Sequence, residues 1–307
     1  MNHLIAIVGP TATGKSRLAL RLAQTFDGEI VSADSRQVYK YMDIGTAKPT
    51  PRELSLVPHY LINIANPEED FSLAQYQRLA YRAINDIQRR NKLALLVGGS
   101  GLYIWAVLEG WGIPQVPPHP EFRHSLEERA AEVGKDDLYQ QLVQVDPNAA
   151  QRIDRRNVRR VIRALEVHED TEKRFSQLQH KKAPPFNVLI IGLTAERAEL
   201  YRRVDLRIDE MIKQGFIEEV ENMVNMGYDF NLTAMSGIGY QQIGRFLKGE
   251  STLAAAVQQI KFETHRFVRN QYSWFRLKDD RIKWIDIQGN LDSESVMLLS
   301  EYLKDNK

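Results

Sequence analysis

The chain contains no cysteine. Disulfides, thiolate zinc sites, iron–sulfur clusters and a cysteine nucleophile are therefore excluded. An excess of charge of one sign is also missing, because Lys plus Arg is 41 and Asp plus Glu is 40. That balance excludes a globally basic nucleic-acid coat protein but leaves a locally basic face open. Long hydrophobic runs are absent too. The N-terminal run Leu4–Val8 is too short for a signal-peptide core or a membrane-spanning helix, so a cytoplasmic protein is expected. What is present is 307 residues with 43% apolar and 26% charged side chains, an ordinary globular balance. At roughly 150 residues per domain, two domains or one domain with a large insertion are expected.

Leu4–Val8 reads as a buried parallel strand, followed by turn residues and then a helical apolar pattern over Ser16–Phe26. Glu29–Ala33 reads as a second strand, Phe71–Asn91 as a long amphipathic helix and Leu93–Val97 as a third strand. Such alternation predicts a parallel sheet with crossover helices. The rhythm breaks at Pro114, Pro117, Pro118 and Pro120. From Glu121 to about His180 only helical patterning is visible; Pro184 and Pro185 follow, and then a strand over Asn187–Leu193. The expected fold is therefore α/β, with a phosphate-loop (P-loop) NTPase-like parallel core over 1–115 and 186–307. Helices cover both faces, and a small all-helical domain is inserted over 116–185. A last strand is expected at Arg281–Ile287, and the tail after Asp292 carries little pattern.

Gly9-Pro10-Thr11-Ala12-Thr13-Gly14-Lys15-Ser16 matches the phosphate-loop pattern, between a buried strand and an amphipathic helix. In such a loop glycines let successive N–H groups turn inward, and the following helix adds its positive end. Lys15 would meet a terminal phosphate as a point charge, and the Ser16 hydroxyl is the candidate ligand of Mg²⁺. The loop does not say which phosphate compound is held. A hydrolase typically places a metal-binding aspartate where this chain has Gly98-Gly99-Ser100. The acid nearest by topology is Asp34, after the second strand, so Asp34, the loop and Ser100 should face one crevice. The competing reading makes Asp34 a helix cap within Ser32-Ala33-Asp34-Ser35.

Taken together, Gly9–Ser16, Ser32–Tyr39, Met42–Pro49, Val97–Tyr103, Asn157–Glu166, Thr233–Tyr240 and Trp274–Arg276 resemble the tRNA dimethylallyltransferases, also called tRNA isopentenyltransferases, of bacterial type. The resemblance spans about residues 4–277. It departs where the family commonly has Thr for Ser100 and His-Pro-Asn-Asp for Asp154-Arg155-Arg156-Asn157, and at Gly237, His265 and Asn270. It implies that the loop holds the pyrophosphate of dimethylallyl diphosphate. The five-carbon group would go to N6 of the adenosine just 3′ of the tRNA anticodon, with Asp34 as general base and Lys15 and Ser100 as catalytic partners. It also implies tRNA contacts by Asp34, Ser35, Arg36, Gln37 and Ser100, and by Arg123, Arg156, Asn157, Arg159, Arg160 and Arg163. Arg123 is expected near the diphosphate.

With that resemblance, the charge pattern points to where an RNA would be gripped. Gln151–Arg163 contains six arginines and one acid. On one helical wheel Arg152, Arg156, Arg160 and Arg163 would share a face, opposite Val158, Val161, Ile162 and Leu165. The competing reading is a solvated face paired with Glu166, Glu169 and Asp170. A second basic stretch, Lys261–Lys283, interleaves Phe262, Phe267, Tyr272, Trp274 and Phe275, most of which are expected in the core. Rival functions are a P-loop kinase of a nucleotide or metabolite, prenyl transfer to free adenine nucleotides, and a non-catalytic RNA-binding module. A monomer without a membrane partner is expected.

Overall fold

The structure is a computed structural model that describes residues 2–114, 116–117, 119–178, 180–182, 184 and 186–306. Pro118 and Pro185, two of the prolines behind the expected domain boundary, lie outside the described residues. Contacts divide the chain into two compact units, Met1–Leu108 with Pro185–Lys307, and Glu109–Pro184.

The first unit is built on six strands: β1 His3–Val8, β2 Gly28–Ser32, β3 His59–Tyr60, β4 Leu93–Val97, β5 Asn187–Thr194 and β6 Ile282–Asp286. All pairings are parallel, in the order β3-β2-β4-β1-β5-β6. Every residue of β1, β2 and β4 is buried. A strand alternates its side chains between two faces, so these must be covered on both sides, as the continuous apolar runs required. The helices in chain order are α1 Lys15–Thr25, α2 Pro51–Leu56, α3 Leu73–Arg89, α4 Gly101–Leu108, α5 Pro120–Glu132, α6 Lys135–Val145, α7 Pro147–Arg152, α8 Val158–Thr171 and α9 Phe175–Leu178. They continue with α10 Arg197–Lys213, α11 Phe216–Asn225, α12 Tyr240–Leu247, α13 Leu253–Trp274 and α14 Leu291–Asp305. The α/β expectation is met.

One face of the sheet packs Ile5, Ile7, Ile30, Leu95 and Ile191 against Leu18 and Leu22 of α1 and Leu299 of α14. The tail after Asp292 is thus a real helix. Its signal was faint because few of its positions are buried, Ser295 and Leu299 among them. The two-residue β3 and the six-residue α2 were not anticipated, since neither is long enough to display a period. A separate cluster joins Val38, Tyr39 and Met42 to α10–α13 through Leu200, Val204, Phe216, Tyr240 and Ile260.

The second unit contains α5–α9 around Leu126, Leu138, Leu142, Ile153, Val161, Leu165 and Phe175. Its arginine segment is not one helix. Arg152 ends α7, Asp154–Arg156 form a turn, and Asn157 caps α8 by accepting the Arg160 N–H at 3.2 Å. The single wheel drawn through Arg152 and Arg163 is therefore corrected: Asn157 is a strong N-cap, and Arg156 precedes the helix. No described helix is long and apolar enough to cross a membrane.

Candidate active site

β1 delivers the chain to Gly9, which has φ +133° and lies so close to β5 that a Cβ would strike the Leu193 backbone. Only glycine combines that dihedral with that approach. The loop then folds over itself. Thr13 Oγ1 and Lys15 Nζ both donate to the Pro10 carbonyl, at 2.8 and 2.6 Å. Gly9, Pro10 and Thr13 are buried beneath the loop, whereas Thr11, Ala12, Gly14, Lys15 and Ser16 line a cavity of about 940 Å³. That is within the usual size of a ligand site.

The same cavity receives the ends of β2 and β4. A Cβ on Gly98 would collide with the Ala33 carbonyl, so the two strand ends converge as they leave the sheet. Asp34 Oδ1 accepts the N–H groups of Arg36 (2.8 Å) and Gln37 (3.3 Å). This is the capping role of the competing reading, but it caps a turn and uses one oxygen. No described residue bonds Oδ2. Ser100 Oγ accepts the Ser35 N–H at 3.1 Å. Lys15, Asp34 and Ser100 therefore share one cavity, as topology predicted. Ser35, Arg36 and Gln37 also line it, yet all three side chains are engaged, Ser35 Oγ by accepting from Ser100 Oγ at 3.4 Å. Arg36 donates to the carbonyls of Thr233 and Ala234 and to Ser236 Oγ. Gln37 Nε2 donates to the carbonyls of Thr46 (3.2 Å) and Ala47 (3.3 Å). That cavity wall is further fixed by Glu219, whose carboxylate accepts the N–H groups of Asp43, Ile44 and Gly45 and the Tyr240 hydroxyl.

Two cavity residues escaped the sequence reading. Arg207 of α10 donates to Thr11 Oγ1 at 3.2 Å. Gln271 of α13, only 3% exposed, accepts the Thr11 N–H at 2.8 Å and donates to the Gly99 carbonyl at 3.0 Å. Each is a polar residue on an apolar helical stripe, Arg207 with Leu200 and Val204, Gln271 with Ile260 and Val268. That mismatch is the signal that would have found them. Gln271 thereby spends the Thr11 N–H on the protein rather than on a ligand.

Electrostatics concentrate at the loop. Burial, then the Arg207 charge, push Lys15 down to about 7, partly offset by Asp34. Burial likewise lowers Arg207. Of the groups that could hold a metal, Ser16 is exposed at the cavity wall, and no cluster of three His, Asp or Glu exists among the described residues. One hydroxyl beside a phosphate cradle suits a Mg²⁺ ion held mainly by substrate oxygens and water.

The remaining expected residues lie in the second unit. Glu166 is fully buried and accepts from Arg123 Nε (2.7 Å) and Nη2 (3.0 Å), from the His119 N–H (2.8 Å) and from Arg163. Burial alone would raise its carboxyl, but these donors hold it below the usual carboxylate range. Arg156 pairs with Asp154 at 2.8 Å. Arg159 and Arg160 are exposed, and among the described residues no carboxylate pairs with them.

A phosphate loop with two adjacent cations, opening on a carboxylate and a hydroxyl, defines a phosphate-binding group-transfer protein of the P-loop class. Comparison with known proteins narrows this. The sequence profile of the family described as "IPP transferase" matches residues 37–278, and the chain belongs to that family. A tRNA dimethylallyltransferase of Dehalococcoides mccartyi is 50% identical over 98% of this chain and 93% of its own. One from Roseiflexus castenholzii is 52% identical over 90% of each. The crystal structure of the full-length tRNA isopentenylpyrophosphate transferase of Bacillus halodurans superposes with a TM-score of 0.73 at 37% identity, covering 99% of this chain and 98% of that one. A eukaryotic dimethylallyltransferase solved acting on tRNA superposes with a TM-score of 0.83 at 25% identity, covering all of this chain and 80% of that one.

Proposed function

We propose that this protein is a cytoplasmic, monomeric enzyme that transfers a dimethylallyl group from dimethylallyl diphosphate to N6 of the adenosine 3′-adjacent to a tRNA anticodon, releasing pyrophosphate. The observation that carries this reading is the joining of the Lys15–Arg207 cradle to the Asp34 carboxylate in one cavity. The names of relatives at about half identity support it, as does the eukaryotic dimethylallyltransferase solved acting on tRNA, at 25% identity.

The exocyclic amine is a weak nucleophile because its lone pair is delocalised into the ring. Asp34 accepts the N6 proton as the C–N bond forms. The N–H groups of Arg36 and Gln37 hold its Oδ1, which leaves Oδ2 for the base. On the other side the C–O bond to the diphosphate breaks, and negative charge grows on pyrophosphate. Lys15, Arg207 and the N–H groups of Ala12 to Ser16 stabilise that charge; one preorganised donor is typically worth about 10²–10³ in rate. The Ser16 hydroxyl would hold Mg²⁺, which would supply further charge neutralisation when bound. Val204, Ile208 and Ile260 give the five-carbon chain an apolar wall. Ser35 and Ser100 contact the base region, and Arg36 and Gln37 shape it.

The second unit supports a grip on the anticodon stem–loop through Arg156, Arg159 and Arg160. Arg123 and Arg163, committed to Glu166, act by holding that surface in place. The target base is unstacked in its loop and can enter a pocket at modest cost.

Incubation with labelled dimethylallyl diphosphate should label unmodified tRNA and leave free AMP unlabelled, without ATP turnover. ATP turnover with a small acceptor would instead identify a kinase. Asp34→Ala should abolish transfer while calorimetric binding of dimethylallyl diphosphate changes little. A lost diphosphate affinity would move Asp34 from base to binding.

A further inference from the structure

The 22-residue helix α13 is two-faced in an unusual way. Its inner face carries the buried Ala256, Ile260, Val268 and Gln271. Its outer face carries Gln259, Glu263, Arg266 and Asn270, and set among these polar side chains is the ring of Phe262. Phe262 is 60% exposed, and Phe267, which lines the same groove, is 40% exposed. Most aromatics of this stretch were expected in the core, and these two are exposed instead. Exposed rings that line one groove are a candidate interaction surface.

The neighbours say which kind. Phe262, Arg266, Phe267 and Asn270 line a groove of about 330 Å³ with Ile238. Ile238 and Phe267 also line the main cavity, so the groove continues from the site that receives the target base. Its one acid, Glu263, already accepts the side-chain amides of Gln242 and Gln259, each at 2.8 Å. Arg266 is exposed, and among the described residues no carboxylate pairs with it. The groove therefore offers flat apolar rings and an uncompensated cation within about one helical turn. Aromatic platforms interleaved with arginine are the chemistry of single-stranded RNA, whose unpaired bases stack while phosphates pair.

We propose that this outer face of α13 is a stacking platform for an anticodon-loop nucleotide flanking the modified adenosine, with a base on Phe262 and Arg266 on a neighbouring phosphate. The proposal rests on the tRNA reading above. It adds a protein surface that holds the loop open once the target base has been withdrawn from its stack.

The test uses the full-length enzyme, dimethylallyl diphosphate and an anticodon stem–loop RNA. Phe262→Ala should raise KM for the RNA roughly 5- to 100-fold, the worth of one base stack, with KM for dimethylallyl diphosphate unchanged. Phe262→Trp should restore the wild-type value. Arg266→Ala should reduce the salt slope of RNA binding by roughly one unit. Thermal unfolding should be the same for all three, because the side chains are exposed. An unaltered RNA KM for Phe262→Ala would overturn the platform while leaving the transferase reading intact. Sedimentation showing a Phe262-dependent dimer would overturn it in favour of a second copy of the chain. Wild-type enzyme that neither binds nor modifies the RNA would sink both readings together.

Discussion

Lys15 is the residue at which electrostatics and chemistry meet. Its pKa near 7 arises from burial and from Arg207, with Asp34 pulling the other way. Above pH 7 the amine is therefore largely neutral before the donor binds. A bound diphosphate brings negative charge beside it and favours the protonated form. The sign follows: binding at pH 8 takes up close to one proton, whereas binding at pH 6, where Lys15 is already charged, takes up almost none. Calorimetry at pH 8 in two buffers of different ionisation heat should give different apparent enthalpies, and Lys15→Met should remove the difference. Equal enthalpies for the wild type would show that the amine stays charged throughout. Lys15 itself was legible in the sequence because its motif is local. Its altered basicity was not, because Arg207 is far away in the chain and meets it only through the fold.

At the scale of elements, the site is three chain segments tied together by one side chain. Gln271 joins the phosphate loop after β1 to the turn after β4, spending its carbonyl on Thr11 and its amide on Gly99. Gln271→Ala would leave the half-buried Thr11 N–H and the buried Gly99 carbonyl without this partner, the latter at about 1–3 kcal/mol. It should also loosen the cradle relative to Ser100. The expected outcome is a fall in kcat larger than any rise in KM for dimethylallyl diphosphate, with Gln271→Glu worse than Gln271→Ala because a carboxylate faces the Gly99 carbonyl. A variant with unchanged kcat and a lower melting temperature would reduce Gln271 to a purely structural tie. Strands β1, β2 and β4 could be read from sequence because burial on both faces leaves continuous apolar runs. Helix α14 could not, since a helix resting on the core by a few residues writes almost no period. The α8 start was misplaced for a different reason: the charge pattern runs smoothly from Arg152 to Arg163, while α7 ends at Arg152 and Asn157, after a turn, caps the start of α8.

For the whole molecule, near-zero net charge conceals segregation. In the second unit, Arg123 and Arg163 are consumed by the buried Glu166, while Arg159 and Arg160 stand exposed. Six arginines in a short segment therefore divide into structural and free groups, a division composition alone does not reveal. If the exposed ones meet RNA phosphates, replacing Arg159 and Arg160 by Ala should reduce the salt dependence of tRNA binding by roughly 1.5 units of slope. Diphosphate affinity should be unaffected. An unchanged slope would remove this pair from the interface.

The pairing of Lys15 with Arg207 at Thr11 has a consequence for the end of the reaction cycle. If the cradle holds the diphosphate as proposed, two half-desolvated cations that ease the departure of pyrophosphate would also retain it after the bond has broken. Turnover would then depend on how quickly the product leaves, and the cradle that speeds the forward step would be a site of product inhibition. In a cell, hydrolysis of free pyrophosphate would drain that site and make the transfer irreversible.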